Sequence, residues 1–190
     1  MSLSTAPQVH IWTRAEYHRM AALNFFDGRR VELIEGQVID MAAMKSPHAV
    51  AVDLVHEALK MAFGDGYYIR QQKPFVISDI SEPEPDVAVV PGSIRDYATA
   101  HPTVAALIVE VADSSLSYDR ETKGSLYAKA GVAEYWIVNL VAQQLEVYQQ
   151  PVEVEEGVYG WGYGLVEIYG TGEAVTVAQV GCKVRVADLF

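Results

Sequence analysis

The run AALIVEVA at residues 105–112 constrains this chain more than any other feature. It is too short for an ordinary helix, and its Val and Ile content suits a strand. Apolar residues at successive positions, on both faces of that strand, predict one that is covered on both sides. One acid, Glu110, interrupts it. A buried carboxylate is costly unless it is paired, protonated or bound to a metal. The rest of the sequence has to supply whatever answers Glu110.

The flanking segments predict a strand-rich fold. Thr13 caps a short helix to about Leu23, with Glu16 completing a capping box. RRVELIEGQVIDM reads as a hairpin turning at Glu35-Gly36. Ser46 and Pro47 start a second helix, Ser as N-cap, which runs to about Phe63 before Gly64. YYIRQQKPFVI reads as a strand, and the prolines before VAVV set the next strand's start near Asp86. Residues 93–100 fit a short helix. SLSYDRETKGSLYAKAG is a helix ending at Gly131. AEYWIVN and QQLEVYQ form another hairpin, and the glycine- and aromatic-rich tail from about Gly157 reads as further strands. The order predicts an α/β or α+β fold with a mixed sheet and two principal helices. With no repeat or linker in view, residues 1–190 read as one domain.

Composition narrows the function. The net charge of −11 disfavours strong, nonspecific nucleic-acid binding, which needs a basic footprint. It leaves room for a metal-dependent enzyme, because a divalent ion offsets local negative charge. No apolar run is long enough to span a bilayer, and no signal-peptide pattern opens the chain, so a soluble cytoplasmic protein is expected. The single cysteine, Cys182, reads as a buried apolar thiol.

Strand parity puts Ile108, Glu110 and Ala112 on one face. Asp86 heads the neighbouring apolar run, so pairing of the two strands would bring both carboxylates to one sheet edge. Two such oxygen donors suit Mg²⁺. Asp119, Lys123 and Tyr127 stand four residues apart on the next helix. An exposed Asp119–Lys123 ion pair is the plain reading. The sharper one has Lys123 lean over Glu110, where it could orient water or stabilise phosphate charge. Glu32, enclosed in its strand by Val31 and Leu33, is a better accessory acid than Glu35 beside the turn glycine. His48, in the first turn of its helix, faces the core side with Val52, Val55 and Leu59, and could assist a site. Glu82 and Glu84 read as solvated loop acids.

VELIEGQVIDM, SPHAVAVDLV, EPDVAVVP, LIVEVADSS and DRETKGSLYAKAGVAEYWIVN follow in order. The series, over about residues 15–150, resembles the Uma-two family of restriction-endonuclease-like proteins. That resemblance implies a PD-(D/E)XK nuclease fold: a mixed sheet flanked by two main helices, with residues 151–190 as an antiparallel, strand-rich extension. It implies a nuclease that uses Mg²⁺ or Mn²⁺ and acts on DNA. Asp86 and Glu110 correspond to the metal-binding acids, and Lys123, Glu32 and His48 complete the set of site residues. The superfamily lysine would stand two residues after Glu110, where this chain has Ala112. The resemblance implies that Lys123 on the next helix takes that role. A homodimer would suit cleavage of both DNA strands.

Overall fold

Residues 7–190 are described in the structure, a computed structural model. They form two compact units. The first joins the N-terminal region through Ala43 to residues Phe75–Pro83, and the second comprises Met44–Pro74 and Glu84–Phe190.

In the first unit, helix α1 (Arg14–Ala22) is closed by the Thr13–Glu16 capping box. Strands β1 (Val31–Ile34) and β2 (Gln37–Asp40) pair antiparallel across the turn Glu35-Gly36. Both turn residues have positive φ, 45° and 75°, the backbone of a tight hairpin that matches strand twist. The returning segment places Glu82 against Leu33. Glu82 is buried and paired with Arg14 and His18. It is therefore not the solvated loop acid expected, because its partners lie more than sixty residues away in sequence.

The second unit is built on a six-stranded sheet in the order β3-β4-β5-β6-β7-β8. Its strands are β3 (Tyr67–Gln71), β4 (Val87–Pro91), β5 (Leu107–Ala112), β6 (Glu134–Asn139), β7 (Gln144–Glu153) and β8 (Trp161–Gly170). The neighbours β5 and β6 are parallel and every other pair is antiparallel. The sheet is thus mixed, and it runs on through the C-terminal extension, since β8 is its last strand. A small hairpin of β9 (Ala174–Thr176) and β10 (Lys183–Arg185) follows. The strand expected through residue 77 stops at Gln71, because Gln72 turns to φ 47° and Pro74 has no N–H to offer a ladder. Cys182 is exposed between β9 and β10, so it is not the buried thiol expected.

Helix α2 (Ser46–Phe63) buries Val52, Val55 and Leu59 against Val87, Val89, Leu107, Val109 and Val111. Its N-cap is Lys45 rather than Ser46, which already lies within the helix beside Pro47. The other face of β5 carries Ile108, Glu110 and Ala112, equally buried. Helix α3 runs over residues 116–129 and bridges the parallel pair β5 and β6. It contains a π-helical turn, Asp119–Lys123, between α-helical ends. Among the described residues no helix is long and apolar enough to cross a membrane.

Glu146 of β7 anchors α3. It is buried and accepts two hydrogen bonds from Arg120 (2.9 and 2.6 Å), one from Asn139 (3.1 Å) and one from Tyr148 (2.8 Å). Replacing it leaves several donors without an acceptor. Glu146→Ala is predicted to lower unfolding free energy by about 2 kcal/mol in urea titration. Exposed Glu121→Ala should change it by less than about 0.5 kcal/mol.

Candidate metal and phosphate site

The register of β4 against β5 runs Val87↔Val109, Ala88↔Ile108, Val89↔Leu107. Extended by one residue, it sets Asp86 opposite Glu110. The two acids are stitched together through the backbone. Asp86 N–H donates to Glu110 Oε2 (3.2 Å), and Val111 N–H donates to Asp86 Oδ2 (2.9 Å). Each carboxylate thus sits on the other strand's main chain, which fixes both at one end of the antiparallel pair.

Two side chains converge on Asp86 from outside these strands. His48, in the first turn of α2, lies with Nε2 3.0 Å from Oδ1, and Gln72 Nε2 donates to the same oxygen at 3.1 Å. Burial pushes the Asp86 carboxyl up, but His48, Val111 N–H and Gln72 outweigh it and hold it below the usual range. The same hydrogen bond to Asp86 raises His48, against the effect of burial.

Glu110 is answered from α3. Lys123 Nζ lies 3.2 Å from Oε1, and Tyr127 Oη donates to that oxygen at 2.7 Å. Lys123 is only 2% exposed and Asp119 5%. They are therefore not the solvent-exposed ion pair of the plain reading: Lys123 points into the sheet, and Asp119 accepts from Ser115 Oγ. Burial pushes Glu110 up to about 8. Lys123 opposes this, while Asp86 and Asp119 reinforce it. An acid in that condition ionises readily only when further positive charge arrives.

Asp86, Glu110, Lys123 and His48 thus meet in the second unit. Glu32 stands in the first, fully buried in β1 opposite Ile39. Gln72 and Asp119 had no motif to announce them as neighbours of the acids. The only trace was a polar residue just past the end of a strand, and an acid four residues before the lysine. Among the described residues no group of three or more His, Cys, Asp and Glu is arranged to hold a metal. A closed protein cage is therefore not on offer. Two carboxylates at one sheet end instead match Mg²⁺, which keeps waters and substrate phosphates alongside one or two protein oxygens. The raised Glu110, an acid that a cation would ionise, fits the same group.

The profile of the Uma2 family, described as "Putative restriction endonuclease", matches residues 14–181. The fold is similar to a crystal structure of a protein from Anabaena variabilis described as a "putative nuclease belonging to DUF820". The TM-score is 0.71 at 16% identity, covering 94% of this chain and 97% of that one. No curated protein matches.

The shifts predict a pH dependence in metal-free buffer. With Glu110 raised, the native state holds a proton that the unfolded chain has released, so stability falls as pH rises from about 5 toward 8. The slope is on the order of 1 kcal/mol per pH unit. Raised His48 acts in the same sense above its ordinary value of 6.5. Urea unfolding at pH 5.5 and pH 7.5 in EDTA should show the fall, and Glu110→Gln should flatten most of it.

Proposed function

Because the chain belongs to the Uma2 family of restriction-endonuclease-like proteins, we propose that it is a divalent-metal-dependent nuclease hydrolysing phosphodiester bonds of DNA. The observation that carries this reading is the opposition of Asp86 and Glu110 across β4 and β5, with a buried lysine 3.2 Å from Glu110. A nuclease fold alone would not license an activity. This set of groups supports one.

Asp86 and Glu110 would hold the ion, each through a carboxylate oxygen. A bound Mg²⁺ or Mn²⁺ would supply Lewis acidity toward the phosphate and the attacking water. His48 and Gln72 keep Asp86 ionised and aimed. Tyr127 fixes Glu110 from the α3 side. Lys123 is a fixed donor in a nearly dry setting, where a charge acts on a phosphate oxygen or a water far more strongly than in bulk solvent. His48 is an accessory group in this reading, through its hydrogen bond to Asp86.

Purified protein incubated with plasmid, linear duplex and single-stranded DNA in Mg²⁺ or Mn²⁺ should cut at least one form. Asp86→Ala and Lys123→Ala should each slow cutting by roughly a hundredfold or more. A wild type that cuts nothing, or variants that cut equally well, would sink the proposal. The net charge of −11 favours a second reading, a non-catalytic module on the nuclease fold. Calorimetry separates the two: the module predicts no heat of Mg²⁺ binding at millimolar concentration in folded protein.

A further inference from the structure

The π-helical turn in α3 does something that a plain α-helix would not. Along an α-helix, residues four apart drift by about 40° per step, so Asp119, Lys123 and Tyr127 would spiral through about 80°. A π turn, bonded i to i+5, is wider than an α turn and so counters that drift over Asp119–Lys123. Lys123 and Tyr127 both face the strand that carries Glu110. Both Lys123 and Tyr127 reach the same oxygen, Glu110 Oε1, at 3.2 and 2.7 Å.

A π turn is intrinsically unfavourable and needs something to hold it. The carbonyl of Asp119 closes this one by accepting the Gly124 N–H. It accepts a second hydrogen bond, from Tyr135 Oη on β6, at 3.0 Å. Tyr135 is fully buried, its ring among those of Tyr127, Tyr148 and Tyr163 at centroid distances of 5.2, 5.6 and 6.1 Å. Position 124 is occupied by glycine, where a Cβ would stand 3.5 Å from the Asp119 carbonyl and 3.8 Å from the Tyr135 ring. Strand β6 therefore braces the turn through the Tyr135 hydroxyl.

We propose that Tyr135 is a positioning residue: its hydroxyl holds the π turn through the Asp119 carbonyl and so sets Lys123 against Glu110. The kinetic consequence rests on the nuclease reading, while the structural one does not. Tyr135→Phe removes only the hydroxyl and leaves the ring in place. In protein labelled with ¹⁵N at lysine Nζ, the Lys123 ammonium is shielded by burial and should give a slowly exchanging signal, assigned by its loss in Lys123→Arg. Tyr135→Phe should shift that signal or broaden it away. An unchanged signal overturns the proposal.

A second measurement needs no variant. In the wild type, the Gly124 amide should exchange with deuterium as slowly as the amides of β5, and exchange at the rate of an exposed loop also overturns the proposal. In DNA cleavage, Tyr135→Phe should lower kcat ten- to hundredfold with KM for DNA unchanged. The double variant Tyr135→Phe/Lys123→Ala should lose no more than Lys123→Ala alone. Losses that multiply would mean a structural role independent of Lys123 and would contradict the inference. A wild type that cuts no DNA, together with a perturbed Lys123 signal, would sink the nuclease reading and leave the positioning role standing.

Discussion

The contact of the Lys123 ammonium with the Glu110 carboxyl at 3.2 Å, both removed from water, is the interaction on which the second unit turns. Taking either charge alone into the sheet would cost several kcal/mol. Attraction and hydrogen bonding offset that cost only when the partners are held in register. Strand β5 supplies one partner and α3 the other, and the rest of the unit holds those two elements at a fixed separation. Arg120 fastens α3 to Glu146 of β7, and Tyr135 fastens it to β6. Buried charged contacts of this kind are weak stabilisers compared with apolar packing. Keeping one here makes sense where the charges have work to do.

The second acid is held by different means. Asp86 stands at the mouth of β4, where the ladder ends and a main-chain donor of β5 is left for its carboxylate. Helix α2 brings His48 to it from the opposite side of the sheet to α3. The two acids are thus tuned apart by their surroundings, Asp86 kept low by hydrogen bonds and Glu110 raised by burial. Such divergence between neighbouring carboxyls is common where groups have distinct chemical roles.

Much of this could be read from the chain alone. The apolar run around Glu110, the Glu35-Gly36 turn, the Thr13 capping box and the stop at Gly64 each follow from local rules, and all are present in the structure. Strand parity also put Glu110 on the face that α3 covers. What stayed hidden depends on distant partners or on backbone detail. The spacing of Asp119, Lys123 and Tyr127 suits an α-helix as well as one with a π turn, so the turn left no mark in the pattern. Glu82 looked solvated because Arg14 and His18 are far away in sequence. Gln72 reaches Asp86 from a backbone of positive φ where β3 ends. The boundary at Ser46 shifted by one residue, the usual margin for a helix end.

The proposed nuclease requires Asp86 and Glu110 to share a divalent ion beside Lys123. An anomalous difference map from a crystal soaked in millimolar Mn²⁺ tests it most directly. A shared ion gives a peak bonded to one oxygen of Asp86 and one of Glu110, with Lys123 still alongside. A map with no peak between the two carboxylates, in a crystal whose Glu110 remains paired with Lys123 alone, would contradict it.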